Sequence, residues 1–175
     1  AFVSLLGDDV QLTPEELEQF VAFCQTLMPP PNPYRLVDGS LDTTHPNGGN
    51  PVVGEDVFHN VVSCPATQPQ VTCNFCHTTP ETTSGRVMGF ESFTGQPMKH
   101  APLKSTYQKL GFSRSSSTNK RGFGLFHDGV GESLVDDLSD NFPNSLQTRL
   151  DVEAYVNSIG TDTHAGVGRQ VTLDG

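Results

Sequence analysis

No tryptophan occurs in this 175-residue chain, and only ten Lys and Arg stand against twenty Asp and Glu. The net charge of −10 argues against the broad basic footprint that nucleic acid or an anionic membrane surface requires. No apolar run approaches the length of a transmembrane helix. Apolar residues are also scarce, at 34%, whereas 17 Gly and 13 Pro make much of the chain loop. The length still suits one domain with a core of its own. A cofactor with a large apolar face would add core that the side chains do not supply. The chain begins at Ala1 without a Met or a signal peptide, so it reads as a mature or excised segment.

What is present is helical. In "LTPEELEQFVAFCQTLMPPP", Thr13 is an N-cap, Pro14 suits the first turn and Glu16 completes a capping box. Leu17, Phe20, Val21, Cys24, Leu27 and Met28 form one apolar stripe, expected to be buried, and Pro29–Pro31 stop the helix. The following "NPYRLVDGSLDTTHPNGGNP" reads as an extended wrap over a surface. Further helices are expected at residues 54–62, from Pro102 to Gly111, and after "HDG" with Leu134, Val135 and Leu138 inward. "SRSSSTNKRGFG" between them reads as an exposed lobe. A last helix, capped by Asn144 or Ser145, buries Val152, Tyr155, Val156 and Ile159 and ends at a left-handed Gly160. No strand alternation or repeat is visible. The expectation is an all-α fold in one compact unit: residues 1–31 as capping helix and proline stop, 32–53 as wrap, 54–175 as the main domain.

The chemistry concentrates in "VTCNFCHTTP", where Cys73, Cys76 and His77 form CxxCH. Structural zinc wants four ligands, but the remaining cysteines, Cys24 and Cys64, are isolated and the histidines scattered. A thioredoxin-type dithiol sits at a strand-to-helix junction of an α/β fold, which this pattern lacks. The adjacent histidine marks attachment of a c-type haem. Two thiols spaced this way reach the vinyl-derived carbons on one porphyrin edge, and the next side chain lies under the iron. A helix carrying Gly54 and Phe58 before the motif, and a terminal helix carrying Tyr155, fit a cytochrome c plan. In that plan the first and last helices cross at a small residue beside an aromatic.

The segments "PPPNPYRLVDGSL", "GEDVFHN…CNFCH", "MKHAPLKSTYQKLGF", "RGFGLFHDG" and "VGRQVTLDG" together resemble a bacterial mono-haem cytochrome c domain family. That family is similar to the C-terminal haem domain of di-haem cytochrome c peroxidases and usually ends a larger exported protein. The resemblance covers nearly the whole chain. It implies a cytochrome c-like helical fold around one covalent haem c, held by Cys73 and Cys76, with His77 as the proximal iron ligand. Phe58, Tyr107, Arg121 and His127 are the expected cofactor-contacting residues. Lys104 stands where the family pattern has Arg, so either Lys104 or Arg121 would meet a propionate.

For the opposite face of the iron, Met98 is the expected ligand, in a loop stiffened by Pro97 and Pro102, with Met88 and His100 as alternatives. His127 is expected to stabilise a turn or touch a propionate. His45, His59 and His164 are expected at the surface. Thioether attachment takes place outside the bacterial cytoplasm, which implies a periplasmic or extracellular location where disulfides persist. A Cys24–Cys64 disulfide is then expected, two buried thiols being the alternative. The reading is electron transfer, not catalysis, by a His/Met-ligated haem. The alternative is a peroxidase or oxidase domain with an open iron site. The expected partner is a redox protein or enzyme domain docking near the haem edge, through a basic or neutral face because this chain is acidic.

Overall fold

The computed structural model describes residues 9–62, 71–88, 97–126, 128–141, 145–170 and 172. Among them the chain is mostly helical, with five α-helices, long irregular stretches and no sheet beyond one two-residue ladder. The helices are α1 (Pro14–Thr26), α2 (Pro51–Asn60), α3 (Cys73–Cys76), α4 (Leu134–Asn141) and α5 (Leu146–Asn157). The ladder pairs β1 (Val87–Met88) with β2 (Met98–Lys99) antiparallel, in the register Val87 to Lys99 and Met88 to Met98.

The crossing of α2 and α5 is the most extensive packing in the fold. α2 starts at Pro51, three residues before the expected Gly54, because the Asn50 side chain accepts from the Val52 and Val53 amides and Pro51 takes the first turn. Gly54 faces the Asp151 backbone and the Tyr155 Cβ of α5, and a Cβ there would overlap the Asp151 carbonyl. Phe58 then sets its ring edge-on to Tyr155, centroids 5.2 Å apart. Val57, Phe58, Val152, Tyr155, Val156 and Ile159 form the buried core, with Leu103, Leu134, Leu138 and Cys73 packed at its rim.

α5 buries polar side chains as well as its apolar stripe, and two of them, Asp151 and Glu153, tie down other segments. Asp151 accepts from the Asn50 amide, and Glu153 accepts from Asn47 and from the Leu134 amide that opens α4. The wrap satisfies the carbonyls at the end of α5: Asn32 donates to those of Asn157 and Ile159, and Arg35 to that of Ser158.

Four sequence expectations change. α1 has its capping box, but it buries no residue, and Leu17, Val21 and Leu27 are about half exposed. The apolar periodicity is real; what it lacks among the described residues is a covering surface. The expected helix from Pro102 to Gly111 contracts to one 3-10 turn, Thr106–Lys109, because Ser105 is left-handed at φ 66, a conformation a right-handed helix cannot run through. α5 ends at Ser158 without a left-handed Gly160. His45 and His59 are not surface residues: His45 is buried against the Tyr34 ring, and His59 meets the Tyr155 hydroxyl at 3.2 Å. No helix among the described residues is long and apolar enough to cross a membrane.

Candidate metal centre

α3 is a single turn that places Cys73 and Cys76 at its two ends, both half-buried. His77 follows as its C-cap, with its amide bonded to the Cys73 carbonyl at 2.9 Å. The imidazole is held from behind. His77 Nδ1 lies 3.0 Å from the Ala101 carbonyl and 3.4 Å from that of Thr82. Carbonyl oxygens only accept, so Nδ1 carries the proton and Nε2 keeps its lone pair. Burial, with a smaller contribution from nearby His100, pushes the ring below the ordinary imidazole range, which keeps it neutral at pH 7.

Two distant segments meet behind this ring. Thr82 is buried and left-handed at φ 58, and its hydroxyl accepts from the Leu103 amide at 2.8 Å. The Ser84 amide bonds back to the Cys76 carbonyl at 2.8 Å. The loop after α3 is thereby fastened to the motif at one end and to the irregular 101–103 stretch at the other. His100 is buried beside it, centroid 6.3 Å from His77, with Nδ1 on the Ser84 hydroxyl. Its Nε2 is buried with no hydrogen-bond partner. Sequence reading missed Thr82 and the Ala101 carbonyl. The only signal was Pro102, which keeps the preceding residue extended.

The remaining candidates are dispersed. Met98 is half-buried on β2, three residues before Ala101. Met88 is its partner in the ladder. Phe58 is consumed by the α2–α5 crossing. Tyr107 is half-buried and turned to the wrap, its hydroxyl 3.5 Å from the Pro30 carbonyl and its ring edge-on to Tyr34. Lys104 is already paired, with Asp162 at 2.6 Å and Glu81 at 3.4 Å. Arg121 is exposed on the lobe. His127 and Cys64 lie outside the described residues, and Cys24 is exposed on α1.

Among the described residues no group of three or more His, Cys, Asp or Glu side chains converges to hold a metal ion. The arrangement offers one oriented imidazole lone pair beside two thiols one helical turn apart. That donor set fits a prosthetic group bringing its own equatorial ligands. Compared with known proteins, the chain matches no family model, no curated protein and no solved structure.

Proposed function

We propose that the chain is a mono-haem c-type cytochrome domain that carries single electrons. The observation that carries this reading is the hydrogen bond from His77 Nδ1 to Ala101, directly after a Cys73–Cys76 turn. A bonded Nδ1–H fixes the tautomer, leaves the lone pair on Nε2 and strengthens it as a donor. In this reading Cys73 and Cys76 are consumed as thioethers and His77 is the proximal ligand. Bound haem would supply a one-electron couple whose potential the axial ligands, burial and nearby hydrogen bonds set. The protein's share is rigidity. Thr82, Ser84 and Ala101 hold the ligand ring in one orientation, so a change of charge there demands little rearrangement. The glycine-faced crossing of α2 and α5 beside Phe58 and Tyr155 supports a cytochrome c-like fold. Its natural setting is a larger exported redox protein.

Met98 is the proposed sixth ligand, and its position sets a demanding condition. Three extended residues span about 10 Å. Ala101 lies against the back of His77, so Met98 and His77 would both have to serve one haem within that short reach. That condition favours a second reading, an iron left open or bound by another group, as in a peroxidase or oxidase domain. The visible spectrum of the oxidised protein separates the two. A low-spin iron inert to peroxide supports the carrier, and a high-spin iron that turns peroxide over supports the enzyme.

A further inference from the structure

The ten basic residues are not spread evenly over this acidic chain. Between Pro97 and Phe126 there is no Asp or Glu, yet Lys99, Lys104, Lys109, Arg114, Lys120 and Arg121 all fall there. Two of these are neutralised by the rest of the protein, Lys104 by Asp162 and Glu81, and Arg114 by Glu132. Lys99, Lys109, Lys120 and Arg121 have no acidic partner among the described residues, and the last three lie within residues 109–126.

The fold gathers these three beside an exposed aromatic. Lys109 Nζ lies 5.1 Å from the centroid of the Phe123 ring. A Cβ on Gly111 would come within 4.0 Å of Lys120 Cβ, which places the 120–123 stretch alongside 109–111. Phe123 is 62% exposed and Phe126 54%. The base of the lobe is built, not loose. Gly124 is buried where a side chain would overlap the Gly131 carbonyl and press on Phe112, and Leu125 bridges Gly131 in both directions. Ser113 closes the outer loop on Asn119 at 2.8 Å.

We infer that this basic and aromatic lobe is a docking surface for an acidic protein partner, which buries Phe123 at the centre of a ring of lysine and arginine contacts. The partner's charge follows from the whole chain. An acidic protein is repelled by most of this surface and attracted only at the lobe, so the field itself orients the encounter. This reverses the expectation, drawn from net charge alone, of a basic or neutral partner. A nucleic acid fits less well, because a long polyanion would run from three unpaired cations onto acidic surroundings. Only the statement that the partner exchanges electrons rests on the electron-carrier reading; the docking argument stands on charge and exposure.

The test uses the intact chain as isolated, with a poly-glutamate peptide ending in an apolar residue as probe and an oligo-dT of equal charge as comparison. Binding is followed by amide chemical shifts at about 10 mM and about 150 mM salt, where the screening length falls from about 30 to about 8 Å. The peptide should perturb residues 109–126 and weaken with salt. The double variant Lys120→Glu, Arg121→Glu should lose about tenfold or more in affinity. Phe123→Ser should weaken binding while leaving its salt dependence unchanged. Absence of peptide binding at low salt, shifts scattered outside the lobe, or unchanged affinity in the double variant would overturn the inference. Tighter binding of oligo-dT than of peptide would also overturn it. An intact mass on the same sample reports haem separately: a haem-free chain that still binds peptide sinks the carrier reading and upholds the docking surface.

Discussion

Gly54 lies so close to the Asp151 carbonyl that the two helices carrying them leave no room for a methyl group between them. The next obstacle, Tyr155 Cβ, would stand 2.9 Å from that methyl. Both obstacles belong to α5, which contributes Val152, Tyr155 and Val156 to the core, so neither gives way cheaply.

Gly54→Ala therefore has the opposite sign from an ordinary helix substitution. In an open helix the change would gain about 1 kcal/mol. Here it should cost about 3 kcal/mol by forcing α2 and α5 apart. Urea unfolding of the variant measures it, and an unchanged or raised midpoint would mean that the helices do not cross at this glycine.

Tyr155 makes stability fall at high pH. Burial, with Glu55 nearby, pushes its phenol up to about 12, while Arg35 works weakly the other way. An acid whose pKa is raised by folding keeps its proton longer in the folded chain. Stability is then complete below about pH 10 and drains as pH climbs toward about 12. The full effect is about 3 kcal/mol. Urea midpoints at pH 9 and 11 should draw together in Tyr155→Phe relative to the unsubstituted protein. Equal slopes in both would contradict the assignment.

The Met98 condition is decided by two substitutions. If Met98 is the sixth ligand, Met98→Ala should convert a low-spin iron to a high-spin or water-bound one and lower its potential, because a donor favouring the reduced state is gone. Met88→Ala should leave the visible spectrum nearly unchanged. A Met98→Ala spectrum identical to that of the unsubstituted protein would remove the residue from the iron.

Thr82 tests the support behind His77. Thr82→Val removes the acceptor of the Leu103 amide and leaves that group without its partner, at a cost of about 1–3 kcal/mol. In the haem-bearing protein the same change should also move the reduction potential, since the loop that holds the ligand ring is loosened. A loss of stability with an unmoved potential would make Thr82 a structural residue alone.

Local signals were legible in the sequence wherever a residue acts on its own backbone. Thr13, Pro14 and Glu16 mark the start of α1, and Ser145 that of α5, because caps bond within four residues. The stripe of Val152, Tyr155, Val156 and Ile159 was legible for the same reason. Partners distant in sequence were not. Thr82 takes the Leu103 amide from twenty-one residues away, and a left-handed Ser105 interrupts a helix that local pattern favours. His45 is polar yet buried and His59 half-buried, because the wrap and α2 both close onto α5. The three residues of CxxCH announced themselves by spacing, whereas the carbonyl that orients His77 has no side-chain signature at all.

In the proposed reading Cys73 and Cys76 would hold a haem covalently beside His77. An intact mass of the unfolded, denatured protein, isolated from cells that mature c-type cytochromes, tests it most directly. The account predicts the polypeptide mass plus one haem, with the red colour retained by the protein through acid–acetone extraction. Replacing Cys73 and Cys76 by Ala should abolish that increment. A chain at the bare polypeptide mass, or colour that passes into the solvent, would contradict it.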